Sequence, residues 1–169
     1  MVRRIALVVL AALALAAGSA AAGTGGYPNA AARCRATGRL AGACPRFQWG
    51  YEAGGRWSTI SSRGFDYRNC TDYVAWKLGL TWWDFGFPGR GDASLWRRYA
   101  PRAGFVVTHT PHVHDVAWWP ASADEPEGHV ALVVRVGAGG TVTVAEYNED
   151  GLGRYDWRVA QAPAYLHRR

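Results

Sequence analysis

The third and last cysteine, Cys70, stands in the stretch YRNCTDYVAWKLGL, where an apolar run with helical spacing begins. A thiol at a helix N-terminus feels the positive end of the helix dipole, which favours the nucleophilic thiolate. Asp72 opposes this by a smaller amount, so the dipole alone does not make a nucleophile. A neighbouring imidazole would complete the activation, and a third polar group would hold the ring in the useful tautomer. His129 opens the run HVALVVRV, and Glu146 and Asn148 close TVTVAEYN. Side chains two apart on a strand share a face. Glu146 and Asn148 therefore point with Val142 and Val144, and His129 points with Ala131 and Val133. An antiparallel hairpin lays the start of one strand beside the end of the next, so His129 falls next to Glu146 or Asn148. A helix packed on this sheet could deliver Cys70 to His129. The outcome is a Cys–His–carboxylate set suited to acyl transfer.

The elements that must hold these groups are legible too. Asn69 is a good N-cap, Asp72 lies in the first turn, and Tyr73, Val74 and Leu78 give one apolar face. Gly79 is placed to end that helix. A shorter helix is predicted over Ala93 to Tyr99, before Pro101. Strand patterns follow: DVAWW ending at Pro120, HVALVVRV over His129 to Val136, and TVTVAEYN over Thr141 to Asn148. GAGG joins the last two as a hairpin. Helix first and antiparallel sheet after is the order of an α+β domain.

The chain has 169 residues, which suits one domain of ordinary size. Its start, MVRRIALVVLAALALAAGSAAAG, has two arginines, an apolar run from Ile5 to Ala17, and Ala20 and Ala22 placed for cleavage. That run is short for a bilayer core, which asks for about 20 residues. Residues 1–22 are expected to be a signal peptide, with no stable membrane insertion after cleavage. Removing Arg3 and Arg4 lowers the formal charge from +6 to +4. A basic exported protein is drawn to anionic surfaces such as a cell wall, and a modest charge equally serves solubility. Outside the cytoplasm, Cys34 and Cys44 are expected to form a disulfide across RATGRLAGA, stabilising the fold by ~2–3 kcal/mol. Cys70 is then the odd thiol, either reactive, intermolecular or buried and inert. Residues 23–46 read as an irregular extension, and 47–169 as the main domain. No internal repeat is visible.

The blocks YRNCTDYVAWKLG, TPHVHDVAWW, GHVALVVRV and VTVAEYNEDGLGRYDWR resemble, in order, those of the CHAP family of cysteine amidohydrolases and peptidases. The likeness covers most of Phe47 to Arg158 and is to versions found in exported actinobacterial wall proteins. It implies a papain-like α+β fold, with the Cys-bearing helix packed on an antiparallel sheet, and cleavage of amide bonds in peptidoglycan. By position it makes Cys70 the nucleophile, His129 the general base and later acid, and Glu146 the group orienting His129. Asn148 resembles a further polar residue of the site. Two positions depart from the family: Asn69, where Gln is frequent, and His114, where a small residue precedes Asp-Val-Ala. The backbone N–H of Cys70 is expected to donate to the oxyanion, with Tyr67 or Asn69 adding a second donor. No metal or other cofactor is required.

His109, His112, His114 and Asp115 lie together in HTPHVHD, but without the spacing of the common zinc motifs. That segment is expected to be a loop leading into a strand. Trp76, Trp96 and Trp118 are expected in the core; Trp82 and Trp83, after the helix, are candidates for a substrate groove. The function expected is a secreted, wall-associated peptidoglycan hydrolase, either an N-acetylmuramoyl-L-alanine amidase or an endopeptidase. It would work as a monomer with no nucleic-acid partner. The alternative is a catalytically silent wall-binding or inhibitory protein on the same fold.

Overall fold

A computed structural model of the protein describes residues 23–30, 33–34, 49–53, 56–58 and 60–169. The expected leader and Cys44 lie outside these residues, and Cys34 is described only in its backbone, so the expected disulfide lies outside them too. Three short strands, β1 (Arg33–Cys34), β2 (Trp49–Ala53) and β3 (Arg56–Ser58), pair antiparallel in that order. Three helices follow: α1 (Cys70–Leu78), α2 (Trp82–Phe85) and α3 (Ala93–Tyr99). The main sheet then uses β4 (Phe105–Thr108), β5 (Val116–Trp119), β6 (His129–Val136), β7 (Val142–Tyr147), β8 (Tyr155–Ala160) and β9 (Ala164–Arg168). Its order is β4-β9-β5-β6-β7-β8, antiparallel at every pairing. This is an α+β fold with the Cys70 helix packed against the sheet.

The helix boundaries match the predicted caps. Asn69 is the N-cap of α1, and Gly79 ends it at φ 65°, a left-handed conformation that glycine adopts without a Cβ penalty. Tyr73, Val74 and Ala75 are buried with Val130, Ala145 and Tyr147 of β6 and β7 in the larger core cluster. Each such side chain contributes roughly 1.5–3 kcal/mol of burial when fully enclosed. Ala131, Val133, Val142 and Val144 form a second cluster with Ala117 and Tyr165. The two clusters reflect strict alternation along β6 and β7.

Trp96 and Trp118 are buried as expected, while Trp76 is only partly so. The indole N–H groups of the first two donate to the Gly91 carbonyl at 3.2 Å and the Ala93 carbonyl at 2.9 Å. Buried indoles need such partners. Helix α2 and strands β4, β8 and β9 were not legible beforehand. Tyr27, in the segment expected to be irregular, is 3% exposed and packs against Tyr73, Trp76 and Tyr147.

Candidate active site

Cys70 is the first residue of α1 and is buried. Asp72, one turn into the dipole's positive end, is fully buried and accepts hydrogen bonds from the hydroxyls of Tyr27 and Ser61. Arg63 lies 3.7 Å from the same carboxylate. Burial pushes the Asp72 carboxyl up from its ordinary value, and the bonds from Ser61 and Tyr27 pull the other way. The acid that could have countered the helix dipole is thus occupied in pinning the first turn to the N-terminal segment.

His129 opens β6 and is 2% exposed. Its Nε2 lies 2.9 Å from Glu146 Oε2, its Nδ1 lies 3.9 Å from Glu125 Oε1, and the Cys70 side chain is near enough to act on its pKa. With Nε2 committed to Glu146, Nδ1 is the nitrogen left for sulfur. Burial lowers the imidazole pKa, but the charge of Cys70, the bond to it, and the bond and charge of Glu146 outweigh this. The net effect raises it to about 10. The raised value favours a protonated imidazole beside Glu146. The strand register explains the meeting: Leu132 pairs with Ala145 on β7, so the start of β6 runs beside the end of β7.

Gly128 sets the angle at which His129 enters. At φ 68°, a Cβ there would stand 2.7 Å from the Trp119 carbonyl oxygen and 3.0 Å from the Ser94 amide nitrogen. Only glycine fits this approach of β6 to the end of β5 and the start of α3. The Ser94 N–H donates to the Glu127 carbonyl at 2.7 Å, closing the same junction.

Arg158 is the residue that sequence reasoning missed. Its Nε donates to Glu146 Oε1 at 2.6 Å, the oxygen His129 does not use. Its guanidinium lies 5.2 Å from the Trp119 ring, which itself sits 5.8 Å from the His129 ring. Arg158 pairs with Val144 across β7 and β8, on the face shared with Glu146. The alternation in YDWRVA was the available signal, but β8 was not predicted.

Of the two strand-end candidates, Glu146 is the one bonded to His129, and Asn148 bonds elsewhere. At φ 64°, it turns its carboxamide to accept from Gly153 N–H at 2.7 Å and donates to Asn69 Oδ1 at 3.3 Å. The strand ends at Tyr147, so the two-residue periodicity no longer governs position 148. The Cys70 N–H, expected to face an oxyanion, instead donates to Asn69 Oδ1 at 2.8 Å. Asparagine is too short to reach further along the helix, and its oxygen folds back on the adjacent amide. Because that oxygen accepts from both Cys70 and Asn148, the Asn69 NH₂ is turned the other way.

A groove of about 800 Å³ opens beside Cys70, lined in part by Asn69, Trp82, Trp83, Arg90, Asp92 and Glu127. Trp83 is 65% exposed, and Trp82 is fixed by a bond from Nε1 to the Gly89 carbonyl at 3.0 Å. Both tryptophans line this groove. Tyr67 is not among the residues lining this groove. Glu127 Oε2 is buried without a hydrogen-bond partner, and Asp92 nearby has its pKa raised by burial and by the Glu127 charge. One end of the groove is thus acidic.

Among the described residues, one group could hold a metal ion: His112, Asp115 and His167. It lies at the opposite end of β5 from Trp119 and His129. His114, where the resemblance expected a small residue, adopts φ 74°. That left-handed conformation is one that residues other than glycine rarely adopt.

The model of the CHAP domain matches residues 60–148. In Staphylococcus aureus, an N-acetylmuramoyl-L-alanine amidase domain-containing protein is 36% identical over 77 residues, 44% of this chain and 12% of its own length. The protein named "Probable autolysin LDP" is 31% identical over 121 residues, 64% of this chain and 39% of its own. The crystal structure of an N-acetylmuramoyl-L-alanine amidase from the same organism superposes with a TM-score of 0.52 at 28% identity. That match covers 68% of this chain and 35% of the other. The chain therefore spans well under half the length of these relatives.

Proposed function

The chain belongs to the CHAP domain family, and on that footing we propose that it hydrolyses amide bonds of peptidoglycan by a thiol mechanism. What supports this is the line of interactions from Cys70, which lines the groove, to His129 and from there to Glu146. The Cys70 sulfur attacks the scissile carbonyl carbon, and the carbonyl oxygen takes the negative charge. The Asn69 NH₂, at the groove wall, is the donor best placed to meet that oxyanion. The C–N bond then breaks as His129 gives its proton to the leaving amine nitrogen, leaving a thioester on Cys70. Water enters, His129 takes its proton, hydroxide adds to the thioester, and a carboxylate leaves as the sulfur is restored. Glu146 keeps the imidazole aimed throughout.

The names of two relatives, an N-acetylmuramoyl-L-alanine amidase domain-containing protein and a "Probable autolysin", support peptidoglycan as substrate. Export through the 1–22 leader, a Cys34–Cys44 disulfide and residence at the wall belong to the same proposal. Among the described residues, no helix is long and apolar enough to cross a membrane. The deciding experiment is clearing of purified cell walls by the wild type and by Cys70→Ala, with mass analysis of what is released. Clearing by the wild type alone, with new amine and carboxyl ends, is expected. Equal clearing by both, or none by either, would return the protein to a silent wall-binding role.

A further inference from the structure

Asp115 is a buried carboxylate, 2% exposed, whose ion-pair partners among the described residues are two histidines. His167 Nδ1 lies 2.7 Å from Asp115 Oδ1, and His112 Nδ1 lies 3.4 Å from Oδ2. The two imidazole rings stand 4.7 Å apart. Among the described residues no arginine or lysine forms an ion pair with this carboxylate, and the His112 backbone N–H donates to Oδ2 at 2.7 Å. One donor atom from each of the three residues lies within 4.8 Å of the others. A tetrahedral zinc ion with bonds of ~2.0–2.1 Å holds its ligand atoms about 3.3 Å apart. His167 stands closer than that to one carboxylate oxygen and His112 near that distance from the other, and the exposed His112 can swing to close the remainder.

We propose that His112, Asp115 and His167 form a binding site for a divalent cation of the zinc class. Two neutral imidazoles and one carboxylate are the donor set that suits such an ion, with the fourth position open to water. The sequence hid this site because His167 comes from β9, more than fifty residues beyond HTPHVHD. The site lies at the far end of β5 from His129, so its work is structural: it ties the β4–β5 connection to the C-terminal strand. The proposal stands apart from the peptidoglycan reading and needs no turnover to be tested.

The test uses the full chain carrying Cys70→Ala, so that the active-site thiol takes no metal. After chelator stripping, zinc chloride is titrated by calorimetry, and thermal unfolding is followed with and without zinc. One equivalent is expected to bind with a dissociation constant of about 10 µM or tighter, and zinc is expected to raise the unfolding temperature. His112→Ala and His167→Ala are each expected to weaken binding at least tenfold and to remove the thermal shift. Circular dichroism checks that each variant is folded; if His167→Ala is not, the more exposed His112→Ala decides. No uptake by the parent, or uptake undiminished by these substitutions, would overturn the site.

Discussion

Arg158 Nε and Glu146 Oε1 lie 2.6 Å apart, so the fully buried Glu146 is held on one oxygen by a guanidinium and on the other by His129. The guanidinium fixes the carboxylate, and Glu146 in turn raises the His129 pKa and aims its ring. Arg158→Gln should lower kcat about tenfold, the worth of one pKa unit, and shift the alkaline limb of the rate profile downward. Arg158→Lys should recover part of both. A variant that loses only stability, with an unmoved pH profile, would make Arg158 merely structural.

Glu146→Gln acts on the imidazole directly. It keeps the shape of the site but removes the charge and allows the wrong tautomer. A fall in kcat of about 10²-fold or more is expected, with KM changed far less. Steady-state kinetics on a soluble wall fragment checks this, and an unaltered kcat would move the orienting role elsewhere.

The His129 pKa predicts a pH signature. Raised from its ordinary 6.5 to about 10, the group adds stability that is complete below about 6.5 and lost as pH climbs through about 10. The difference in unfolding free energy between the wild type and His129→Gln isolates this contribution. That difference should favour the wild type most at pH 6 and shrink steadily towards pH 10; growth over the same interval would contradict the assignment. The alkaline limb of kcat/KM should fall in the same range.

Tyr27→Phe removes the hydroxyl that donates to buried Asp72 and keeps the ring that packs on Tyr73 and Tyr147. A loss of about 1–3 kcal/mol in urea unfolding is expected, because the carboxylate loses a partner where water cannot replace it. A neutral result would show that the N-terminal segment does not brace the first turn of α1.

Trp83→Ala removes a ring that is 65% exposed on the groove wall. Such a loss should raise KM about three- to tenfold with little change in kcat, and leave thermal stability unchanged. A fall in kcat alone would argue that this ring does not bind substrate.

The parts of the site that lie within one helix or one hairpin were legible in the sequence. Asn69, Cys70 and Gly79 carry capping signals, and His129 and Glu146 obey the two-residue period of strands that pair directly. What was hidden depends on pairing at a distance or on the end of regularity. Arg158 and His167 arrive on β8 and β9, and β9 inserts between β4 and β5 although it is last in the chain. Asn148 fell just past the strand, where a positive φ replaces alternation. Asn69 was rightly placed as a cap, but which amide its oxygen would take depends on side-chain length rather than on pattern.

Gly128 leaves a space that only a hydrogen atom fills, so the backbones of α3, β5 and β6 meet there in direct contact. The aim of the imidazole is therefore inherited from how α3 is seated, and α3 is seated by Trp96 against Phe65 and Phe85. Changes beneath that helix, remote from sulfur and substrate alike, are where turnover could be tuned without altering any reacting group.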